Sequence, residues 1–252
     1  MAHLPRKHQQ LNLLLLERGE LDETESCVLE GRRAEHLVTV LGVAGGDTLR
    51  AAVRDETLGV VRVNKVVGAT VHLTYTAETE VPLPEKVLCL AVPRPKALSR
   101  CIQHATALGF GRISLFRSYR VEKSHLSSQR LTPERLQEDV LLGMEQGRRV
   151  HTPIVELFDR FKPFVEDHLD QLSTEHNRYV GHPYGAVTLW DAEPTPGPYT
   201  LVIGPDGGLI DYEIRALDTC GFIPVRAGSA PLRVESAISY LAGQLDLVHH
   251  ID

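Results

Sequence analysis

The chain has 252 residues, 42% hydrophobic and 24% charged. These are ordinary values for a soluble globular protein, with enough material for one large or two modest cores. No apolar run reaches the roughly 20 residues of a membrane helix, and the leucine run at 13–16 is too short for a signal peptide. The four cysteines, Cys27, Cys89, Cys101 and Cys220, have no C-x-x-C spacing. That argues against a zinc ribbon and for reduced, core-filling thiols, so a cytoplasmic location is the default expectation.

The first third of the chain alternates in short runs. A helix is predicted over 33–41, then strands over 48–53, 59–63 and 70–75. Gly45-Gly46-Asp47 and Val67-Gly68 supply the turns. This β-rich segment predicts a small barrel. Val81-Pro82-Leu83-Pro84 suits neither a helix nor a central strand, because proline donates no backbone hydrogen bond. It is the predicted linker between a domain over 1–81 and another over 82–252.

Beyond the linker, strands and helices alternate. The apolar run over 87–92 is expected of a strand buried on both faces. A helix over 98–108 ends at Gly109, and a strand over 113–116 and a longer helix over 133–147 follow. Strands are predicted at 179–181, 187–190 and 199–203, a helix at 211–220, a strand edge at 223–225 and a last helix at 234–248. Repeated β–α units predict an α/β fold with a mostly parallel sheet.

Two strand–loop–helix transitions carry glycine: Ile203-Gly204-Pro205-Asp206-Gly207-Gly208, and the stretch from Ala227-Gly228 to Leu232-Arg233-Val234-Glu235-Ser236-Ala237. Glycine admits a close backbone approach where a Cβ would clash. The pair predicts a small-molecule site built largely from main chain. Its spacing is not that of G-x-G-x-x-G, and no G-K-[ST] is present, so a Rossmann fingerprint and a P-loop are both poor fits. Asp206 and Asp211 read as turn formers and caps, no H-E-x-x-H occurs, and a metal is not expected. The net charge is −6, yet residues 94–149 hold eleven Lys or Arg against five Asp or Glu. Such a local excess suits a segment facing phosphate; a set of solvated helix faces is the alternative.

The glycine loops and several upstream segments together resemble the RsmE family of RNA methyltransferases in the SPOUT superfamily. Relatives carry I-G-P-E-G-G, here with Asp206 for glutamate, and L-R-T-E-T-A, here Leu232 to Ala237 with Val234 and Ser236 for the threonines. Ala91-Val92-Pro93-Arg94 is similar to the family's A-L-P-K. Ile102-Gln103-His104-Ala105-Thr106-Ala107-Leu108-Gly109 is similar to I-Q-K-A-T-E-L-G. Glu145-Gln146 with Arg149 resembles E-Q-x-x-R, and His182-Pro183 resembles H-P. His36-Leu37-Val38-Thr39-Val40-Leu41 with Gly46-Asp47 resembles the amino-terminal motif. The likeness covers nearly the whole chain, in family order. Departures stand at Gly42, Ala97, Ser99 and Ala107, outside the glycine loops.

The resemblance implies a SPOUT-type sheet with a carboxyl-terminal trefoil knot, a rare exception to unknotted topology, preceded by a PUA-like RNA-binding β-barrel. It implies S-adenosylmethionine as cofactor, held at His182, Pro183, Ile203, Gly204, Gly207, Gly208, Ala227, Gly228 and Leu232. The implied reaction is methylation of N3 of a uridine in small-subunit ribosomal RNA, by a homodimer. Arg233, Glu235 and Arg149 are the catalytic candidates. Arg94, Arg112, Arg117, Arg120, Lys123 and Arg130 are the candidate RNA contacts. An RNA-binding homologue without catalysis, or a methyltransferase for another RNA position, stays open at this point.

Overall fold

The computed structural model describes residues 12–185 and 187–249. Two compact units divide the chain: residues up to Leu83 with Met144–Thr152, and Pro84–Gly143 with the chain from Pro153 onward.

The first unit is a five-stranded sheet of β1 (Leu14–Leu16), β2 (Ser26–Leu29), β3 (Thr48–Val53), β4 (Thr57–Val67) and β5 (Thr70–Glu80), in the order β1-β3-β4-β5-β2. β1 runs parallel to β3, and the other pairs are antiparallel. Val61, Val63, Val71, Leu73 and Tyr75 alternate with less buried neighbours and pack in the core, as the period-2 geometry of a half-buried strand requires. Ala34 and Leu37 close over them from a helical stretch that is α-wound over Gly31–Glu35 and π-wound over His36–Val40. β1 and β2 were not predicted; three consecutive leucines show no alternation to read. Sequence order places 144–152 with the second segment, yet side-chain and backbone bonds tie it to the first. The Asp55 carboxylate accepts from the Thr152 amide at 2.6 Å and from its hydroxyl at 2.9 Å, and the Asp55 amide donates to Val150.

The second unit is an α/β layer structure. Its sheet contains β6 (Lys86–Ala91), β7 (Phe110–Phe116), β8 (Ile154–Phe158), β9 (Asn177–Gly181), β10 (Val187–Thr188), β11 (Tyr199–Ile203) and β12 (Ile223–Arg226). The order is β10-β12-β9-β11-β6-β7-β8, and every pair is parallel. β6 and β11 are buried along their whole length, which explains why, Lys86 and Thr200 apart, their sequences are apolar. β8 was missed because its residues are exposed or half-buried at the sheet edge.

The helix Val234–His249 packs on the helix Pro95–Ala107 through Arg100–Glu235 and His104–Ser239 contacts. Its far end is held by a buried polar cluster. Asp246 accepts from Lys86 Nζ at 2.9 Å and from the Tyr199 hydroxyl at 2.7 Å, and Lys86 also donates to the Leu108 carbonyl. Burial, then the nearby Asp246 charge, pushes the Tyr199 phenol well above its ordinary range. Ile238, Leu241 and Leu245 are buried within this unit, so the apolar stripe of the last helix is intramolecular core. Burial also raises the thiols, Cys27 to about 11 and Cys101 to about 12, as suits packing rather than reactive groups.

Candidate active site

The carboxyl ends of β12, β9 and β11 lie side by side and release three loops on the same edge of the sheet. This is where open parallel sheets place ligands. A cavity of about 290 Å³ opens there, close to the lower end of small-molecule sites, roughly 300 Å³. The end of β9 and the loop after it contribute Gly181, His182 and Pro183; the end of β11 and its loop contribute Ile203, Gly204, Asp206 and Gly208; the segment after β12 contributes Ala227, Gly228, Leu232 and Arg233. Val234, Ala237 and Leu241 of the last helix complete an apolar floor.

Glycine is required locally for packing. A Cβ on Gly204 would stand 3.0 Å from Leu209 Cγ and 3.1 Å from its backbone nitrogen. Gly208 has φ +72°, in the left-handed region, and its amide closes a turn on the Pro205 carbonyl. His182 is fixed twice: its amide donates to Val225, and its Nδ1 accepts from the Tyr184 amide at 3.1 Å. The neutral ring therefore carries its proton on Nε2. Burial lowers the His182 pKa below 6.5, against a smaller opposing pull from Asp211.

The structure thus gathers His182, Pro183, Ile203, Gly204, Gly208, Ala227, Gly228, Leu232 and Arg233 around one cavity. Gly207 is not on the wall. Its carbonyl accepts from the Arg120 guanidinium, and a Cβ there would point at the Arg120 side chain, 3.3 Å away. Glu235 is also off the wall: its carboxylate faces Arg100 Nη1 at 3.4 Å, so it braces two helices. Arg149 belongs to the first unit and does not line the cavity. Arg233 is exposed at the rim, and its guanidinium has no partner among the described residues.

The candidate RNA contacts divide. Arg112 is ion-paired with Glu156 and Arg94 with Asp206, whose carboxylate also accepts from the Arg94 amide. Arg120 is committed to Gly207. Arg117, Lys123 and Arg130 make no side-chain ion pair among the described residues, and Lys123 and Arg130 are exposed. Sequence reasoning missed Glu213. It is buried, and its two oxygens accept from the Tyr119 amide at 2.8 Å and the Ile210 amide at 3.0 Å. A glutamate in the third position of a helix was the available signal.

The RNA methyltransferase domain family matches residues 79–246. The chain belongs to this family. Relatives named ribosomal RNA small subunit methyltransferase E bear out the RsmE resemblance. That of Treponema pallidum (strain Nichols) is 24% identical over 90% of this chain and 87% of its own length. That of Bacillus subtilis (strain 168) is 25% identical over 89% and 94%. The solved methyltransferase E of Neisseria gonorrhoeae, bound to S-adenosyl methionine, shares the fold with a TM-score of 0.74, 20% identity, and coverage of 94% of this chain and 97% of that one.

Proposed function

We propose that this chain transfers a methyl group from S-adenosylmethionine to N3 of a uridine in small-subunit ribosomal RNA. The observation that carries this reading is the cavity at the carboxyl ends of three parallel strands, walled by glycine loops, with unpaired Arg233 at its rim. Family membership and the relatives' names supply the reaction class.

The walls fit the cofactor. Apolar Ile203, Leu209, Leu232 and Leu241 suit an adenosine ring, and the turn backbone of the loop after β11 suits its polar groups. Once bound, S-adenosylmethionine supplies an electrophilic methyl group; alignment is then the protein's main task. The bond from the sulfonium to the methyl breaks, S-adenosylhomocysteine leaves, and the proton of uridine N3 passes to solvent water, spreading negative charge to the ring carbonyl oxygens. Arg233 is placed to donate to those oxygens with a charge present at every working pH. Glu235, tied to Arg100, holds the helix start on which Arg233 sits.

The same reading takes the first segment, 1–81, as a PUA-like RNA-binding module and 82–252 as a SPOUT domain. Its support is the β-rich sheet of the first unit and the strand order of the second. There the chain passes from β11 across β9 to β12 before the last helix returns to Pro95–Ala107, the path a knotted carboxyl-terminal half would take. Arg117, Lys123 and Arg130 are the remaining phosphate contacts of the original set, and the working form is a homodimer in the cytoplasm. The test is nucleoside mass spectrometry of ribosomal RNA from cells with and without this protein. Loss of 3-methyluridine from small-subunit RNA is expected, and an unchanged nucleoside profile sinks the proposal.

A further inference from the structure

A second concavity, about 420 Å³, lies beside the first in the same unit. The two share one stretch of chain: Leu209 walls the first cavity, and Ile210, Tyr212 and Glu213 wall the second. Its other walls are the turn after β7, with Arg117, Ser118 and Tyr119, and the chain after β8, with Arg160, Phe161 and Lys162.

Three properties of this groove point to one kind of occupant. First, it presents aromatic rings at its mouth. Tyr119 is 80% exposed and Tyr212 50%. Tyr212 is held edge-on against Phe161, centroids 6.4 Å apart, and Phe161 is itself anchored on Phe116. An exposed tyrosine backed by a fixed ring, with a second exposed tyrosine in the same wall, is a stacking platform, not core. Second, the groove is cationic. Arg117 and Arg160 have no carboxylate partner among the described residues, and Lys162 has only the exposed Glu166 at 3.6 Å. The single carboxylate in the wall, Glu213, is buried and occupied by two backbone amides. Third, Ser118, also in the wall, has a buried hydroxyl with no partner, whereas buried polar atoms are normally satisfied.

We infer that this groove is a nucleotide subsite of the RNA substrate. A base next to the target stacks on Tyr119 and Tyr212, its phosphates lie on Arg117, Arg160 and Lys162, and Ser118 gains a partner. Stacking on aromatic side chains with cations tracking the backbone is how single-stranded RNA is held without duplex geometry. The inference rests on the RNA-modifying reading of the neighbouring cavity. It adds that the enzyme takes an unpaired segment, with the flanking base and the target held by opposite ends of residues 204–213.

The test is fluorescence anisotropy with a labelled single-stranded oligoribonucleotide containing uridine, on the full chain, alongside calorimetry with S-adenosylmethionine. Replacing both Tyr119 and Tyr212 by alanine should weaken RNA binding on the order of tenfold or more and leave cofactor affinity unchanged. Tyr119→Phe with Tyr212→Phe should retain binding, because the ring face survives. Arg160→Ala should reduce the slope of log K against log salt by about 0.7. Wild-type RNA affinity in the double alanine variant overturns the subsite alone. A wild-type protein that binds cofactor but no single-stranded RNA overturns both the subsite and the single-stranded substrate. A protein binding neither ligand overturns the parent reading with it.

Discussion

Arg233 is the residue on which the proposed chemistry turns. It begins the last helix, its carbonyl accepting from Ala237, so the backbone that walls the cavity also places the guanidinium. If it stabilises uracil as N3 loses its proton, its benefit lies in the transition state. Arg233→Ala should lower kcat by about 10²–10³ with little change in cofactor affinity, measured by single-turnover methylation at saturating cofactor. Arg233→Lys should recover part of the rate, since an ammonium lacks the planar fork. A normal rate in folded Arg233→Ala removes it from catalysis. His182 makes a pH forecast. Its folded pKa lies below 6.5 because burial disfavours the charged ring. The stability it contributes is therefore full above that value and is lost as pH falls through the folded pKa. The NMR titration midpoint of His182 should lie below 6.5, and a midpoint above it would contradict the buried, Nδ1-accepting geometry.

At the scale of elements, the site depends on loops being held together by groups outside the cavity. Glu213 joins the turn after β7 to the start of the helix Asp211–Thr219. Removing its carboxylate leaves two amides without their acceptors. Glu213→Ala should cost about 2–6 kcal/mol, at roughly 1–3 per unsatisfied group, read from urea denaturation, and Glu213→Gln should cost less. A neutral Glu213→Ala would mean that water replaces the carboxylate. Elements with strong internal pattern were legible in the sequence: β6 and β11 from mostly apolar runs, and the helices at 95–107 and 133–147 from their spacing. β1, β2, β8 and the helical stretch over 161–172 were not, because short or edge elements are stabilised by neighbours distant in sequence. The cavity residues of the glycine loops were legible for a local reason, since tight turns and close approach demand glycine where they occur. The roles of Gly207, Glu235 and Arg149 were not, because adjacency in a motif does not say which way a side chain or carbonyl faces.

For the whole molecule, the proposed homodimer now has a defined constraint. The buried stripe of the last helix packs within its own unit, and the large apolar side chains which that helix leaves exposed are Tyr240 and Leu247, 48% and 77% exposed, seven residues apart on one face. Light scattering should show a dimer at micromolar concentration, and Tyr240→Glu with Leu247→Glu should yield a folded monomer if this face is the two-fold contact. A dimer that survives both substitutions places the interface elsewhere. The sequence by itself determined the reaction family, the α/β alternation, the β-rich first segment and the glycine loops, since all of these are written in residue types at short spacing. Tertiary structure decided that residues 144–152 join the first unit, that Arg120 grips Gly207, that Glu235 braces a helix, and that a cationic aromatic groove adjoins the cavity. Each of these is a contact between segments far apart in the chain, and sequence spacing carries no record of which distant side chains the folded sheet brings together.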